Sequence, residues 1–74
     1  MKRTYFAEFY VLRDNQFVEA TGSDGVVYLD GRLRLTTMMM RARLEGKERG
    51  YDGYRIARGT HTQPFYLTAG VLPV

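Results

Sequence analysis

At 74 residues, with 11 basic and 8 acidic side chains and a formal charge of +3, the chain reads as one small basic domain, residues 1–74. A domain of this size buries only about 60% of the surface that its unfolded chain exposes, so its core is small. Without cysteine it has no disulfide framework or thiolate metal site. No apolar run reaches the roughly 18 residues of a membrane span, and Glu8 interrupts the apolar start, which argues against a signal peptide.

Five stretches rich in β-branched and aromatic residues predict strands. The first alternates at period two and is apolar on both faces, which is typical of a central strand. Asp14-Asn15 predicts a hairpin turn after it. The predicted strands cover residues 4–13, 16–21, 26–29, 54–58 and 65–68. We expect the tail, residues 69–74, to run along the sheet or to fray.

One segment predicts a helix, residues 35–49, LTTMMMRARLEGKER. Thr36 and Thr37 are candidate N-caps, and Gly50 predicts the helix end. Gly46 weakens this helix by about 1 kcal/mol relative to alanine. The order ββ(β)αββ predicts an α+β domain, in which a small antiparallel sheet of four to five strands packs on one helix.

The predicted helix has two apolar arcs. One arc holds Leu35, Met38, Met39, Ala42 and Gly46 and predicts the stripe that packs on the sheet. The other holds Met40 and Leu44, four residues apart and flanked by Arg43 and Lys47. Two interpretations stay open for this pair. Either loops such as the C-terminal tail cover it, or it is exposed and contacts a partner or a second copy, since methionine suits adaptable binding surfaces.

The residues of catalytic chemistry are sparse. His61 is the only histidine, lies in a polar loop, and has no carboxylate near it in sequence. With one histidine and no cysteine, a zinc site is not expected. No glycine pattern for phosphate binding is present. We therefore expect a non-enzyme that carries no cofactor and has no evident small-molecule substrate.

Two kinds of binding remain. Protein binding is favoured, because a small sheet offers two free edges and because tyrosine and arginine are enriched at interfaces. The predicted partner contacts are Met40, Leu44, Arg43, Lys47, Phe6 and Tyr10. Self-association as a homodimer belongs to this class. The alternative is a basic nucleic-acid-binding domain that uses phosphate contacts and tyrosine stacking. Its predicted contacts are Arg32, Arg34, Arg41, Arg43, Arg55 and Arg58.

A resemblance gives these alternatives a context. The run DGRLRL at residues 30–35, the segment MMMRAR at 38–43 and the run GYDGYRIARG at 50–59 resemble the layout of small proteins encoded by phages, prophages and plasmids. The resemblance covers about 30 residues and implies an accessory protein that binds a host protein or nucleic acid. It carries over no functional residue. A cytoplasmic location is expected from the absence of cysteine, which is consistent with a reducing compartment.

Overall fold

The computed structural model describes residues 4–72, except for the side chain of Ser23. The strands are β1 (Tyr5–Arg13), β2 (Gln16–Glu19), β3 (Val26–Leu29), β4 (Gly53–Gly59) and β5 (Pro64–Val71), and the helix α1 (Leu35–Arg49) lies between β3 and β4. A short 3₁₀ turn, Ser23–Gly25, precedes β3. All pairings are antiparallel, so the predicted α+β class and element order are confirmed.

Strand β1 is the centre of the sheet. Its second half pairs with β2 and its first half pairs with β3, both along the same edge. Strand β4 pairs with the other edge of β1, and β5 pairs with β4. The strand order is β2-β1-β4-β5, and β3 pairs with β1 outside this path. The prediction of a central first strand is therefore confirmed.

Local signals set most of the element ends. Asp14 and Asn15 have φ of 50° and 63°, the left-handed pair that a two-residue hairpin turn requires. Gly50 ends α1 with φ of 80°, and its N–H reaches back to the last turn. The predicted caps Thr36 and Thr37 were wrong, because Arg34 takes the N-cap position without a side-chain bond.

The prediction for the C-terminal residues 69–74 agrees with the structure only in part. Strand β5 continues through Ala69 and Gly70 to Val71, and Leu72 is buried in the core, so this part of the predicted tail runs along the sheet. Residues 73–74 lie outside the described part of the chain. The strand signal failed here because an alanine and a glycine, which have weak strand propensity, follow the aromatic run.

The core lies between α1 and one face of the sheet. Phe9, Tyr54 and Ile56 meet the helix there, with Met38 and Ala42 packed on them. A Cβ at Gly46 would lie 2.6 Å from the Leu72 Cδ1 atom, so the glycine lets the helix approach closely.

The predicted stripe was wrong at Leu35, which is 40% exposed at the first turn. Among residues 4–72, no helix is long and apolar enough to cross a membrane.

Candidate functional site

The sheet face opposite α1 carries a cluster of aromatic and charged side chains, which we call the open face. Strand register defines it. Phe6, Glu8 and Tyr10 alternate with the core residues of β1, so they point away from the helix. Glu8 is paired with Arg55 of β4, and Phe6 is paired with Tyr28 of β3. Tyr66 of β5 and His61 of the β4–β5 loop complete the open face.

Glu8 is the organising residue of the open face. Its carboxylate accepts a hydrogen bond from Arg55 Nε at 2.9 Å and another from the Tyr66 hydroxyl at 3.1 Å. His61 Nδ1 lies 3.9 Å from the other oxygen of that carboxylate. These groups leave Glu8 only 5% exposed. A buried carboxylate is stable only when such donors replace its water, so the hydrogen bonds of Glu8 hold Arg55 and Tyr66 in place.

Arg55 lies between two tyrosines. Its guanidinium carbon is 3.9 Å from the Tyr66 ring centre and 4.9 Å from the Tyr10 ring centre. Desolvation raises the pKa of Tyr10 to about 12, although the charge of Arg55 opposes the change. Desolvation and the hydrogen bond to Glu8 also raise the pKa of Tyr66. Both phenols therefore stay neutral hydrogen-bonding groups at physiological pH.

A second set of aromatic contacts continues this arrangement at the β3 side. The His61 ring lies 4.5 Å from the Phe6 ring, and His61 Nε2 lies 3.0 Å from the Tyr28 hydroxyl oxygen. Tyr28 is 65% exposed, whereas Phe6 is fully buried. Phe6 therefore packs beneath the His61 ring, and Tyr28 is the side chain exposed to solvent.

An apolar groove adjoins Arg55 at the β2 and β5 side. It has a volume of about 410 Å³ and is lined by Tyr10, Phe17, Tyr54, Arg55, Ala69, Gly70 and Val71. The Tyr10 hydroxyl is buried and has no hydrogen-bond partner among the described residues. A buried hydroxyl without a partner is unfavourable, and the Tyr54 hydroxyl is in the same situation.

The residues predicted to contact a partner fall on two separate surfaces. Phe6 and Tyr10 belong to the open face, but Phe6 is fully buried there and is not available for a direct contact with a partner. Met40 and Leu44 are about two-thirds exposed on the outer side of α1, and the exposed side chains of Arg43 and Lys47 accompany them. The interpretation that loops cover Met40 and Leu44 is wrong. Their contact with a partner stays a prediction.

The six arginines of the nucleic-acid alternative are also divided. Arg55 lies on the open face, bound to Glu8. Arg58 lies on the helix side, over the Phe65 ring. Arg43 lies over the Tyr54 ring, and Arg32 forms an ion pair with Asp30 before the helix. Arg41 lines a hollow beside β3, and Arg34 is the N-cap of α1. The six arginines therefore do not share one surface, because Arg55 and Arg58 lie on opposite faces of the sheet.

Sequence reasoning missed the central role of Glu8. The available signal was a single charge among the apolar residues of a central strand. His61 was expected to be solvated, with no carboxylate near it in sequence. The fold brings it to Glu8 across 53 positions of the chain, and Tyr66 across 58.

Glu8 and His61 are the acid–base groups that the open face brings together. His61 is too far from Glu8 for a hydrogen bond, and its other nitrogen faces Tyr28. Among residues 4–72, no group of three His, Cys, Asp or Glu side chains is placed to hold a metal ion. That the protein is not an enzyme stays a prediction.

Comparison of the chain with models of protein families, with curated proteins and with solved structures finds no match.

Proposed function

We propose that this protein is a small non-catalytic binding module and that a partner protein docks on its open face. The observation that supports the proposal is the fixing of Arg55 between Tyr10 and Tyr66 by the buried carboxylate of Glu8. Arginine and tyrosine dominate the energetics of protein interfaces. Side chains that are already ordered lose little conformational entropy on binding.

The buried carboxylate of Glu8 serves mainly to orient the neighbouring side chains of Arg55 and Tyr66. Moving a carboxylate out of water costs several kcal/mol, and a well-packed apolar residue is often as stable in its place. The hydrogen bonds to Arg55 and Tyr66 offset that cost without adding much net stability. They fix two interface-type side chains on a face that no second layer covers within residues 4–72.

Exposed apolar and aromatic groups surround this fixed centre. Tyr28 lies beside it toward β3, and Phe17 and Val71 lie across the groove toward β2 and β5, each about half exposed or more. A binding surface typically combines a rigid centre with an apolar pocket of this kind.

The charges on the open face favour protein over nucleic acid. The charge of Arg55 is already paired, and the acid Glu19 is opposite Tyr10 on the same face. The other basic side chains of the predicted nucleic-acid set lie at the helix or on the helix side of the sheet. Base stacking and phosphate contacts would then need opposite sides of the molecule, whereas single-strand binders combine them in one groove. A mobile-element accessory role, as the sequence resemblance implies, would make the partner a host protein.

Site-specific photo-cross-linking tests the proposal. A photoreactive phenylalanine analogue replaces Tyr28 on the open face in one variant and Leu44 on the helix in a matched control. Both native side chains are 65% exposed, so random collisions should label the two variants equally. We expect a discrete adduct with one protein of the producing cell from the Tyr28 position only. Adding Glu8→Gln to that variant should weaken the adduct, because Arg55 is then no longer fixed.

The opposite pattern would overturn the proposal. An adduct from the Leu44 position alone would identify the helix pair as the contact surface. Adducts that survive Glu8→Gln unchanged would show that the fixed arginine has no part in recognition. Binding of a single-stranded oligonucleotide that Tyr28→Ala abolishes would support the nucleic-acid alternative instead.

A further inference from the structure

Strand β5 is a free edge with unusual composition. It has β4 on one side and no strand on the other within residues 4–72. Its eight residues, PFYLTAGV, contain no charge. Phe65, Tyr66 and Val71 are each more than 40% exposed. An edge of this length normally carries lysine or another charge, because unpaired backbone groups beside apolar side chains attract other strands. The usual protections here are only Pro64, at the first position, and one bulge.

We infer that β5 pairs with β5 of a second copy of this chain, around a two-fold axis, to form one continuous sheet. The inference concerns the backbone edge of the sheet, which shares Tyr66 with the open face, and it does not depend on the proposed function. In an antiparallel pair related by a two-fold axis, both strands have the same sequence, so each charge would be repeated in the other strand. An edge without charge therefore suits self-pairing.

The strand register of β5 also supports pairing with a second copy of β5. Ile56 is paired with Thr68 and Ala57 with Tyr66, so Leu67 is the extra residue of a bulge. Tyr66 and Ala69 thereby lie on the same face of the sheet, although three positions separate them. Directly opposed residues of an antiparallel pair must share a face. In the pairing that uses all eight residues of β5, Tyr66 is opposite Ala69 of the second copy. The bulge places these two residues on the same face, so the condition is met.

That pairing also opposes large residues to small ones. Tyr66 would face Ala69 of the second copy on the open face, and Phe65 would face Gly70 of the second copy on the helix side. The Tyr54 ring already lies across Gly70, at 2.8 Å from the position of a Cβ there, so Phe65 of the second copy would pack against that ring. Pro64 would face Val71 of the second copy. The two open faces would then form one surface.

Sedimentation equilibrium from micromolar to millimolar protein tests the dimer. The wild-type chain should rise from its monomer mass of 8.6 kDa to twice that mass. Ala69→Lys with Val71→Lys should remain monomeric, because two lysines on each strand oppose pairing. Met40→Lys is the matched control, since Met40 is as exposed as Val71, and should dimerise as the wild type does. Circular dichroism of each variant shows that the fold is intact.

Engineered disulfides test the register, since the chain has no cysteine of its own. Pro64→Cys and Val71→Cys variants, mixed in a glutathione buffer, should form a covalent heterodimer, while either variant alone should not. A wild-type mass that stays at 8.6 kDa throughout, or gains mass only with a different protein added, would overturn the inference. So would a mixture without the heterodimer. The cross-linking result at Tyr28 would be unaffected by either failure.

Discussion

Replacing Glu8 by glutamine tests how the open face is held. The amide has nearly the same shape and keeps one acceptor oxygen, but it removes the charge. A hydrogen bond to a charged group contributes about 1.5–3 kcal/mol and a neutral one about 0.5–1.5 kcal/mol. Glu8 accepts two such bonds, from Arg55 and Tyr66. The Arg55 side chain is about a third exposed, so water restores part of the loss. We therefore expect Glu8→Gln to lower the free energy of unfolding by about 1–2 kcal/mol.

Thermal unfolding measures this effect. For a domain of this size, about 1 kcal/mol shifts Tm by roughly 4–8 °C, so a loss of about 1–2 kcal/mol should lower Tm by roughly 4–16 °C. Glu19→Gln is the control, because Glu19 is exposed on the same face, and its Tm should hardly change. The Arg55→Leu variant completes a double-mutant cycle, in which the Glu8→Gln loss should shrink. An unchanged Tm in Glu8→Gln, or equal losses with and without Arg55, would refute the role assigned to Glu8.

Three further predictions concern packing, the helix surface and pH. Gly46→Ala should lose about 1 kcal/mol despite better helix propensity, because the added Cβ would lie 2.6 Å from Leu72 Cδ1 and 2.9 Å from Phe9 Cε1. Denaturant unfolding should show a smaller loss in a Leu72→Ala background, where only the Phe9 contact remains, and a stabilised single variant would contradict the close packing. Met40→Lys with Leu44→Lys should leave Tm within a few degrees, since both side chains are exposed; a sharp fall in Tm would make them core residues. Because burial raises the pKa of Tyr10 to about 12 from 10.0, its contribution to stability should be complete below pH 10 and lost as pH rises toward 12; urea titrations should show a weaker alkaline loss in Tyr10→Phe, and identical pH profiles would contradict it.

Much of the fold can be predicted from the sequence because the residues that end its strands and its helix act locally. The Asp14-Asn15 turn adopts left-handed backbone that few residue pairs accept, and Gly50 does the same at the helix end. The period-two pattern of β1 predicts a strand apolar on both faces, and the structure places that strand at the centre. These signals act over a few residues and do not depend on the rest of the chain.

The open face was less predictable because its contacts span the whole chain. The strand pattern of β1 shows that Glu8 shares a face with Phe6 and Tyr10. It does not show that Arg55, His61 and Tyr66 arrive above that carboxylate, since this requires the register of three strands and one loop. The extent of β5 was also missed, because its last residues have weak strand propensity and are ordered by pairing with β4. That β5 forms a long sheet edge without charge can be inferred only when the C-terminal end of the strand is known.

The central claim is that a partner protein binds the open face, and one comparison of affinities tests it most directly. Once the cross-linked partner is identified, its Kd is measured for the Tyr28→Ala and Leu44→Ala variants, which truncate side chains of equal exposure on opposite sides of the molecule. Truncation of an interface anchor typically costs more than about 1 kcal/mol. Tyr28→Ala should therefore weaken binding roughly tenfold, with Leu44→Ala unchanged. A tenfold loss from Leu44→Ala, with Tyr28→Ala unchanged, would contradict the account.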